Sequence, residues 1–373
     1  MSRPNTTLII NLIQDIATPH NNILIREFAR QNDVVLKLWY ALEQDQSQYQ
    51  WSENITHEHF PAQIYGNTLN WKFIWYCLSH PAERFILVGW MNSNTKLLLL
   101  LFFLFRRSYT HWTDLPNDRR GVILKQRFVR RLAYSILRYS RAMVFGVGKP
   151  TLDYFESIGF PRQRVVNLPI FIESDEDINL YKLRQQEIFS EYGIQEGDFV
   201  LSAGSRLIFE KGYDLLIKAV SQLNEAVRRR VKVLIVGSGV CSDELQNQIS
   251  TLNLQGQVTL VKWLAIEDFK ALIACSDVFI HPARIDSYGG TTLGMALGVP
   301  VIGSNGAGAA IDRIEHGKNG FLYEPEDTRQ LAHYIELFYL DPLLRKQMAQ
   351  AALKTAKKWP PSLGLQIIVG NTL

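Results

Sequence analysis

Cysteine is scarce: there are three, Cys77, Cys241 and Cys275, and none stands in a CxxC or metal-ligand spacing. That excludes a disulfide framework and implies a reducing compartment. Cys275, within an apolar stretch, is expected to be a buried small hydrophobe. Long apolar runs are also missing. The longest, residues 97–105, is about half of what a membrane span needs. The first, residues 7–13, is too short for a secretory leader. The expectation is a cytoplasmic protein, either free or peripheral on the inner face of the plasma membrane. Nor is there an acidic triplet of the kind that holds a divalent metal. Gly237-Ser238-Gly239 lacks the third glycine and the ribose acid of a dinucleotide fingerprint, which excludes an NAD site.

Acid is missing from one further place. From Arg119 to Arg141 there are eight Arg or Lys and no Asp or Glu. Wound as a helix, this stretch puts Arg127, Arg130, Arg131, Arg138 and Arg141 on one face, and Phe128, Val129, Leu132, Ala133 and Ile136 on the other. One reading is a domain helix with a solvated basic face. The other is a helix resting on anionic lipid, where each basic residue adds about 1 kcal/mol. No nucleic-acid recognition fold accompanies the charge, so no nucleic-acid partner is expected.

What is present is an alternation of strands and helices over 373 residues, too many for one ordinary core. In the second half, strands at 199–203, 231–236, 258–261, 278–281 and 299–303 alternate with helical segments. The first half repeats the pattern, with strands at 8–13, 34–39, 84–88, 142–146 and 165–168 and one ending just before His111. Residues 43–70 carry no assignable period. The fold class is α/β with parallel sheets. It comprises an N-terminal domain over 1–174, a C-terminal domain over 175–355, and a segment 356–373 returning towards the first. The helix before the last residues is expected to make that crossing. Ligands of such sheets bind beyond the carboxyl ends of the strands, which directs attention to the loops there.

In the loop Gly204-Ser205-Arg206-Leu207-Ile208-Phe209-Glu210-Lys211-Gly212, two cations follow a strand and open a helix. Backbone N–H groups and the helix dipole already favour an anion there. Arg206 offers a planar fork to phosphate oxygens and Lys211 a compact charge. This loop is followed by Val233–Gly239, by His281-Pro282-Ala283-Arg284-Ile285-Asp286, by Gly294-Met295-Ala296-Leu297-Gly298-Val299-Pro300-Val301, and by His316-Gly317-Lys318-Asn319-Gly320-Phe321-Leu322. In order and spacing these elements resemble the donor domain of glycosyltransferase family 4, the group 1 glycosyltransferases.

The resemblance implies a GT-B fold, two Rossmann-like domains facing each other across a cleft. It implies a retaining, metal-independent hexosyltransferase with a nucleoside-diphosphate sugar as donor and no further cofactor. Its acceptor would be a saccharide or lipid-linked, in cell-surface polysaccharide or glycolipid synthesis. Carried over by position, Arg206 and Lys211 clamp the donor diphosphate. Asp286 with Ser287, Tyr288, Gly289 and Gly290 meets the sugar hydroxyls and phosphate through a carboxylate and backbone amides. Trp263 and Leu264 lie by the nucleobase, His111 sits across the cleft near the transferred sugar, and His111 and Asp286 are the catalytic candidates. The family's second glutamate, which holds the ribose, is absent near Leu293, so Thr291 or Thr292 is left to offer a hydroxyl. That absence sustains an alternative, a catalytically weak GT-B partner or membrane-recruitment subunit. A phosphorylase or epimerase on the same fold is a third reading. Asp114 reads as a helix cap or turn residue, His281 as packing, and His20 as a solvated loop residue. Trp71, Phe73, Trp75 and Tyr76 read as core or as a membrane-facing belt.

Overall fold

Short apolar, β-branched segments, each followed by a segment with one apolar stripe, bury both faces of a parallel sheet, and the chain does this twice. A computed structural model describes residues 7–31, 33–42, 60, 62–89, 92–115, 124–173 and 178–372. The chain divides into two units, Met1–Phe171 with Pro361–Leu373, and Ile172–Pro360.

The first unit runs β1 (Leu8–Gln14), α1 (Pro19–Phe28), β2 (Val34–Tyr40), β3 (Ala62–Ile64), α2 (Trp71–Ser79), β4 (Arg84–Val88), α3 (Ser93–Leu104), β5 (Ser108–Thr113), α4 (Leu124–Tyr139), β6 (Arg141–Gly146), α5 (Lys149–Ser157) and β7 (Val165–Asn167). The second runs α6 (Ile178–Lys182), α7 (Gln185–Glu191), β8 (Phe199–Gly204), α8 (Tyr213–Ser221), α9 (Glu225–Arg228), β9 (Val231–Val236), α10 (Ser242–Thr251), β10 (Val258–Val261), α11 (Ile266–Ala274), β11 (Val278–His281), α12 (Thr291–Ala296), β12 (Val301–Ser304), α13 (Gly308–Arg313), β13 (Gly320–Tyr323), α14 (Thr328–Leu340) and α15 (Pro342–Ala356). The last helix, α16 (Pro361–Asn371), belongs to the first unit and packs on α1. Its Gly364 lies against Leu24 and Phe171, where a Cβ would come within 2.5 Å of Leu24. Thus α15 stays with the second unit, and the helix after it, not α15 itself, joins the first.

Among the described residues every strand pairing is parallel, in the orders β3-β2-β1-β4-β5-β6-β7 and β10-β9-β8-β11-β12-β13. The order reverses between β1 and β4 in one sheet and between β8 and β11 in the other. Those are the two topological switch points. Both units are Rossmann-like, as the alternation of strands and helices predicts.

Two expectations change. The strand near His111 does not end before it: β5 runs through His111, which pairs in register with Leu87 and Val144. The larger change concerns α4. Its inward residues are Tyr134 and Leu137, which join the core with Phe102 and Phe155, while Phe128, Val129 and Leu132 face outward. Tyr134 sets the rotation, its ring meeting Phe155 edge-on at 5.4 Å. Of the apolar set, Phe128, Val129 and Leu132 are therefore on the surface beside Arg131 and Arg138, Ala133 and Ile136 are half-buried, and Arg141 belongs to β6 rather than to the helix. Arg119, and the side chain of Arg127, lie outside the described residues, as do 43–59 and 174–177. No helix among the described residues is long and apolar enough to cross a membrane.

Candidate active site

The loops at the second unit's switch point follow β8 and β11, and glycine brings them together. Gly212 has φ 69°, and a Cβ there would lie 2.1 Å from the Pro282 carbonyl oxygen. Gly237, at φ 151°, approaches the Ser205 carbonyl oxygen so closely that a Cβ would lie at 2.0 Å. Neither approach tolerates a side chain.

Lys211 ends the first of these loops, immediately before α8, and its ammonium donates to Asp286 Oδ2 from the second. His281, the last residue of β11, brings Nε2 to the same oxygen at 3.1 Å, and its Nδ1 lies 2.8 Å from Thr291 Oγ1. A neutral imidazole satisfies both contacts, with Nε2–H donating to the carboxylate and Nδ1 accepting from the threonine. Burial alone would push the Asp286 carboxyl up. The Lys211 charge and the His281 contact outweigh it and hold the group at about 2. Asp286 is thus a buried, fixed anion.

Arg284 fastens the two loops together. Its guanidinium donates to both carboxylate oxygens of Asp214 at 2.7 and 2.6 Å, to Glu326 at 2.8 Å, and to the Phe209 carbonyl at 3.0 Å. Its plane also covers the Phe209 ring at 4.0 Å. Backbone N–H groups of Arg284 and Ile285 both reach the Glu210 carbonyl. Arg206 is exposed on the same loop. The position of Lys211 is therefore set by its ion pair with Asp286 and by the joining of the two loops.

The residues expected around the sugar and nucleoside fall into three groups. Ser287, Gly289 and Gly290 are half-buried beside Asp286, and Trp263 and Leu264 are half-buried after β10. Tyr288 and Thr291, the first expected to act through its backbone and the second through its hydroxyl, both have engaged side chains. The Tyr288 ring is buried and its hydroxyl accepts from Arg313 Nε at 2.8 Å; Thr291 is fully buried and engaged with His281. Thr292 donates to the Gly289 carbonyl at 3.3 Å. Leu293 is buried, so the neighbourhood of the missing glutamate is apolar. His281, expected to be packing, is the polar centre of the network. Its place at the carboxyl end of a switch-point strand was the available signal.

In the first unit His111 is fully buried, and burial pulls its imidazole down to about 4, so it is neutral at pH 7. His20 is exposed in the first turn of α1, which Thr18 caps by accepting from the Asn21 N–H at 3.3 Å. Sequence reasoning missed Asp15, just beyond β1 at that unit's switch point. Its carboxylate accepts from Asn92 Nδ2, which also donates to Tyr65 Oη at 2.7 Å. Burial raises the Asp15 carboxyl despite Asn92 and Lys96. Among the described residues no three His, Cys, Asp or Glu side chains gather as a metal site requires.

Comparison with known proteins bears on this geometry. Residues 184–355 match the family model of glycosyl transferases group 1. Over 229 residues the chain is 27% identical to mannosylfructose-phosphate synthase of Agrobacterium fabrum, covering 59% of this chain and 50% of that one. Over 225 residues it is 28% identical to the GDP-mannose-dependent alpha-(1-6)-phosphatidylinositol monomannoside mannosyltransferase of Mycolicibacterium smegmatis, covering 57% of each. The chain thus spans about half the length of the curated relatives it matches. In structure it is similar to Anabaena Alr3699/HepE in complex with UDP, with a TM-score of 0.74 at 21% identity over 97% of this chain and 98% of that one. That likeness shows the fold, the two-unit GT-B architecture.

Proposed function

With residues 184–355 a group 1 glycosyltransferase domain, we propose that the protein transfers a hexose, with retention, from a nucleoside-diphosphate sugar to a saccharide or lipid-linked acceptor. The observation that carries this reading is the placement of Lys211. It stands at the opening of α8, at the switch point, fixed by Asp286 and accompanied by Arg206. A diphosphate gains negative charge as its bond to the sugar breaks, so cations fixed there stabilise the transition state more than the bound donor. They serve in place of a metal. In this reading the Asp286 carboxylate and the backbone of Ser287, Gly289 and Gly290 meet sugar hydroxyls. Trp263 and Leu264 flank the base, and Thr292 is left as the ribose contact. The acceptor oxygen bonds to the anomeric carbon on the face the diphosphate leaves, and its proton passes to the departing phosphate. His111 enters only as a neutral side chain.

The first unit takes the acceptor, and Asp15 with Asn92 and Tyr65 is the group best suited to hydroxyls. Of the relatives named above, the phosphatidylinositol monomannoside mannosyltransferase favours a lipid-linked acceptor, in glycolipid or cell-surface saccharide synthesis, and with such an acceptor the protein would be peripheral at the inner face of the membrane. A second reading, a catalytically weak partner, draws on two observations: the apolar surroundings of Leu293 and the engagement of Thr291 with His281. Each lost charge-assisted hydrogen bond is worth about 1.5–3 kcal/mol.

Isothermal titration with UDP, GDP and ADP separates the two. Micromolar binding of one nucleotide, lost in Arg206→Ala/Lys211→Ala and weakened in the exposed single variant Arg206→Ala, supports the transferase. No binding of any of the three at millimolar concentration overturns it in favour of the partner.

A further inference from the structure

On one side of the first unit's sheet α2, α3 and α4 lie in a row, α3 packed against both neighbours. Their inward residues, among them Phe73, Leu98, Phe102 and Leu137, feed a single core cluster. The outward side of such a layer is ordinarily polar. Here it is not. Trp71 and Trp75 stand one turn apart on α2, 66% and 71% exposed, and Leu104 and Phe105 are exposed where α3 ends. Along α4, Phe128, Leu132 and Tyr139 are 70%, 52% and 73% exposed. With Ser135 between them they follow the i, i+4, i+7, i+11 spacing of one helix face. Arg131 and Arg138, both exposed, border that stripe, and Lys72, Lys96 and Arg106 are exposed on the neighbouring elements. None of the three helices contains an Asp or Glu.

Charge complementarity decides what covers this face. Apolar side chains occupy the middle of the α4 stripe and cations its border, the reverse of a nucleic-acid groove, where cations line the path of the backbone. A solvated helix layer would mix both signs to form i, i+4 pairs. Acid-free helices carrying exposed tryptophans and flanking arginines match a surface that is uniformly anionic and apolar just beneath. We propose that the outward face of α2, α3 and α4 docks the protein on an anionic lipid bilayer. Trp71, Trp75 and the stripe of Phe128, Leu132 and Tyr139 enter the boundary between headgroups and acyl chains, and Arg131 and Arg138 meet lipid phosphates. This holds whether or not the protein is an active transferase.

The test is flotation of the full chain with vesicles of phosphatidylglycerol and phosphatidylcholine in equal parts, beside vesicles of phosphatidylcholine alone. The expected result is binding to the first only, weakened by high salt. Trp71→Ser/Trp75→Ser, and separately Phe128→Ser/Leu132→Ser/Tyr139→Ser, each lower the partition coefficient by about tenfold or more. Both variants remove exposed side chains, so an unchanged circular dichroism spectrum and melting curve are expected for them. Arg131→Glu/Arg138→Glu abolishes the preference for anionic vesicles. Equal binding to both vesicles, no binding to either, or binding that the apolar variants leave intact overturns the proposal. So does a dimer in sedimentation equilibrium that those variants dissociate, since the face then belongs to a second copy of this chain.

Discussion

Just beyond β1, at the first unit's switch point, Asp15 sits among amide and phenol groups, and burial raises its carboxyl. Just beyond β11, at the second unit's switch point, Asp286 sits between an ammonium and an imidazole and is held at about 2 despite its burial. Residue type is the same and both stand at a switch point, although β1 is the counterpart of β8 and not of β11, and the electrostatic outcome is opposite. The parallel sheet supplies a place where loops converge, while the neighbours each loop brings decide whether that place handles charge or hydroxyls. The helices differ in the same way. Several of the second unit open with acid, as in Asp214 on α8, Asp243 and Glu244 on α10, and Glu267 and Asp268 on α11, whereas α2, α3 and α4 have none.

The contrast breaks most visibly at glycine. In Gly212→Ala the new Cβ meets a backbone carbonyl, and φ stays at 69°. The expected loss of stability exceeds about 3 kcal/mol in urea denaturation, with loss of nucleotide binding. Gly66→Ala, at φ 82° with nothing within 4 Å, carries the strain alone and should cost about 1 kcal/mol. Equal costs would show that the second unit's loops are not clamped as described.

Removing the ammonium beside Asp286 tests the electrostatic half. Lys211→Met leaves a buried carboxylate with only His281, at an expected cost of about 3 kcal/mol at pH 7. Lys211→Met/Asp286→Asn should recover part of it. The sign with pH follows from the depressed carboxyl. Its contribution, about 2 kcal/mol, is complete above the unfolded value near 4 and is lost as pH falls towards about 2. In Lys211→Met that contribution is absent, so stability falls less steeply over this interval. A parallel pH dependence in wild type and variant would contradict the ion pair.

A smaller effect is expected at Tyr288 and Arg313. Tyr288→Phe removes the acceptor of the buried Arg313 Nε, whose guanidinium also covers Trp359 at 3.5 Å. The expected cost is about 1–3 kcal/mol. Arg313→Met added to it should recover most of the loss, because no buried donor is then left without its partner. A strictly additive double variant would sink the coupling.

How much of this was legible in the sequence follows from the range of each signal. Gly204–Gly212 is a local pattern in which strand, turn and helix opening are contiguous, so the cation pair could be placed without a structure. The Rossmann-like alternation is equally local. The burial of His111 was not, because it depends on β5 pairing with Leu87 on one side and Val144 on the other. Nor could Tyr288 be seen to spend its hydroxyl on a residue 25 positions on. Strand β3, three residues at a sheet edge, has too few residues to show a period. On α4 the helical period is legible in the sequence, and which face packs on the sheet is not. Five apolar residues outweigh Tyr134 and Leu137 in a helical wheel, but the two that fit against the sheet set the orientation.

The smallest expected effect closes the comparison from the other side. Asp15, with a raised carboxyl, contributes most below the unfolded value near 4, and that contribution is lost as pH rises through its folded value, the opposite slope to Asp286. Asp15→Asn keeps an oxygen to accept from Asn92 and removes the titration. Its stability at pH 7 should therefore rise by about 0.5 kcal/mol or less. Nucleotide affinity, which belongs to the second unit, should be unchanged. If the first unit takes the acceptor through this carboxyl, the acceptor KM rises in initial-rate assays while the donor KM does not. A shift in donor affinity would instead give Asp15 to the donor and erase the division of labour between the two switch points.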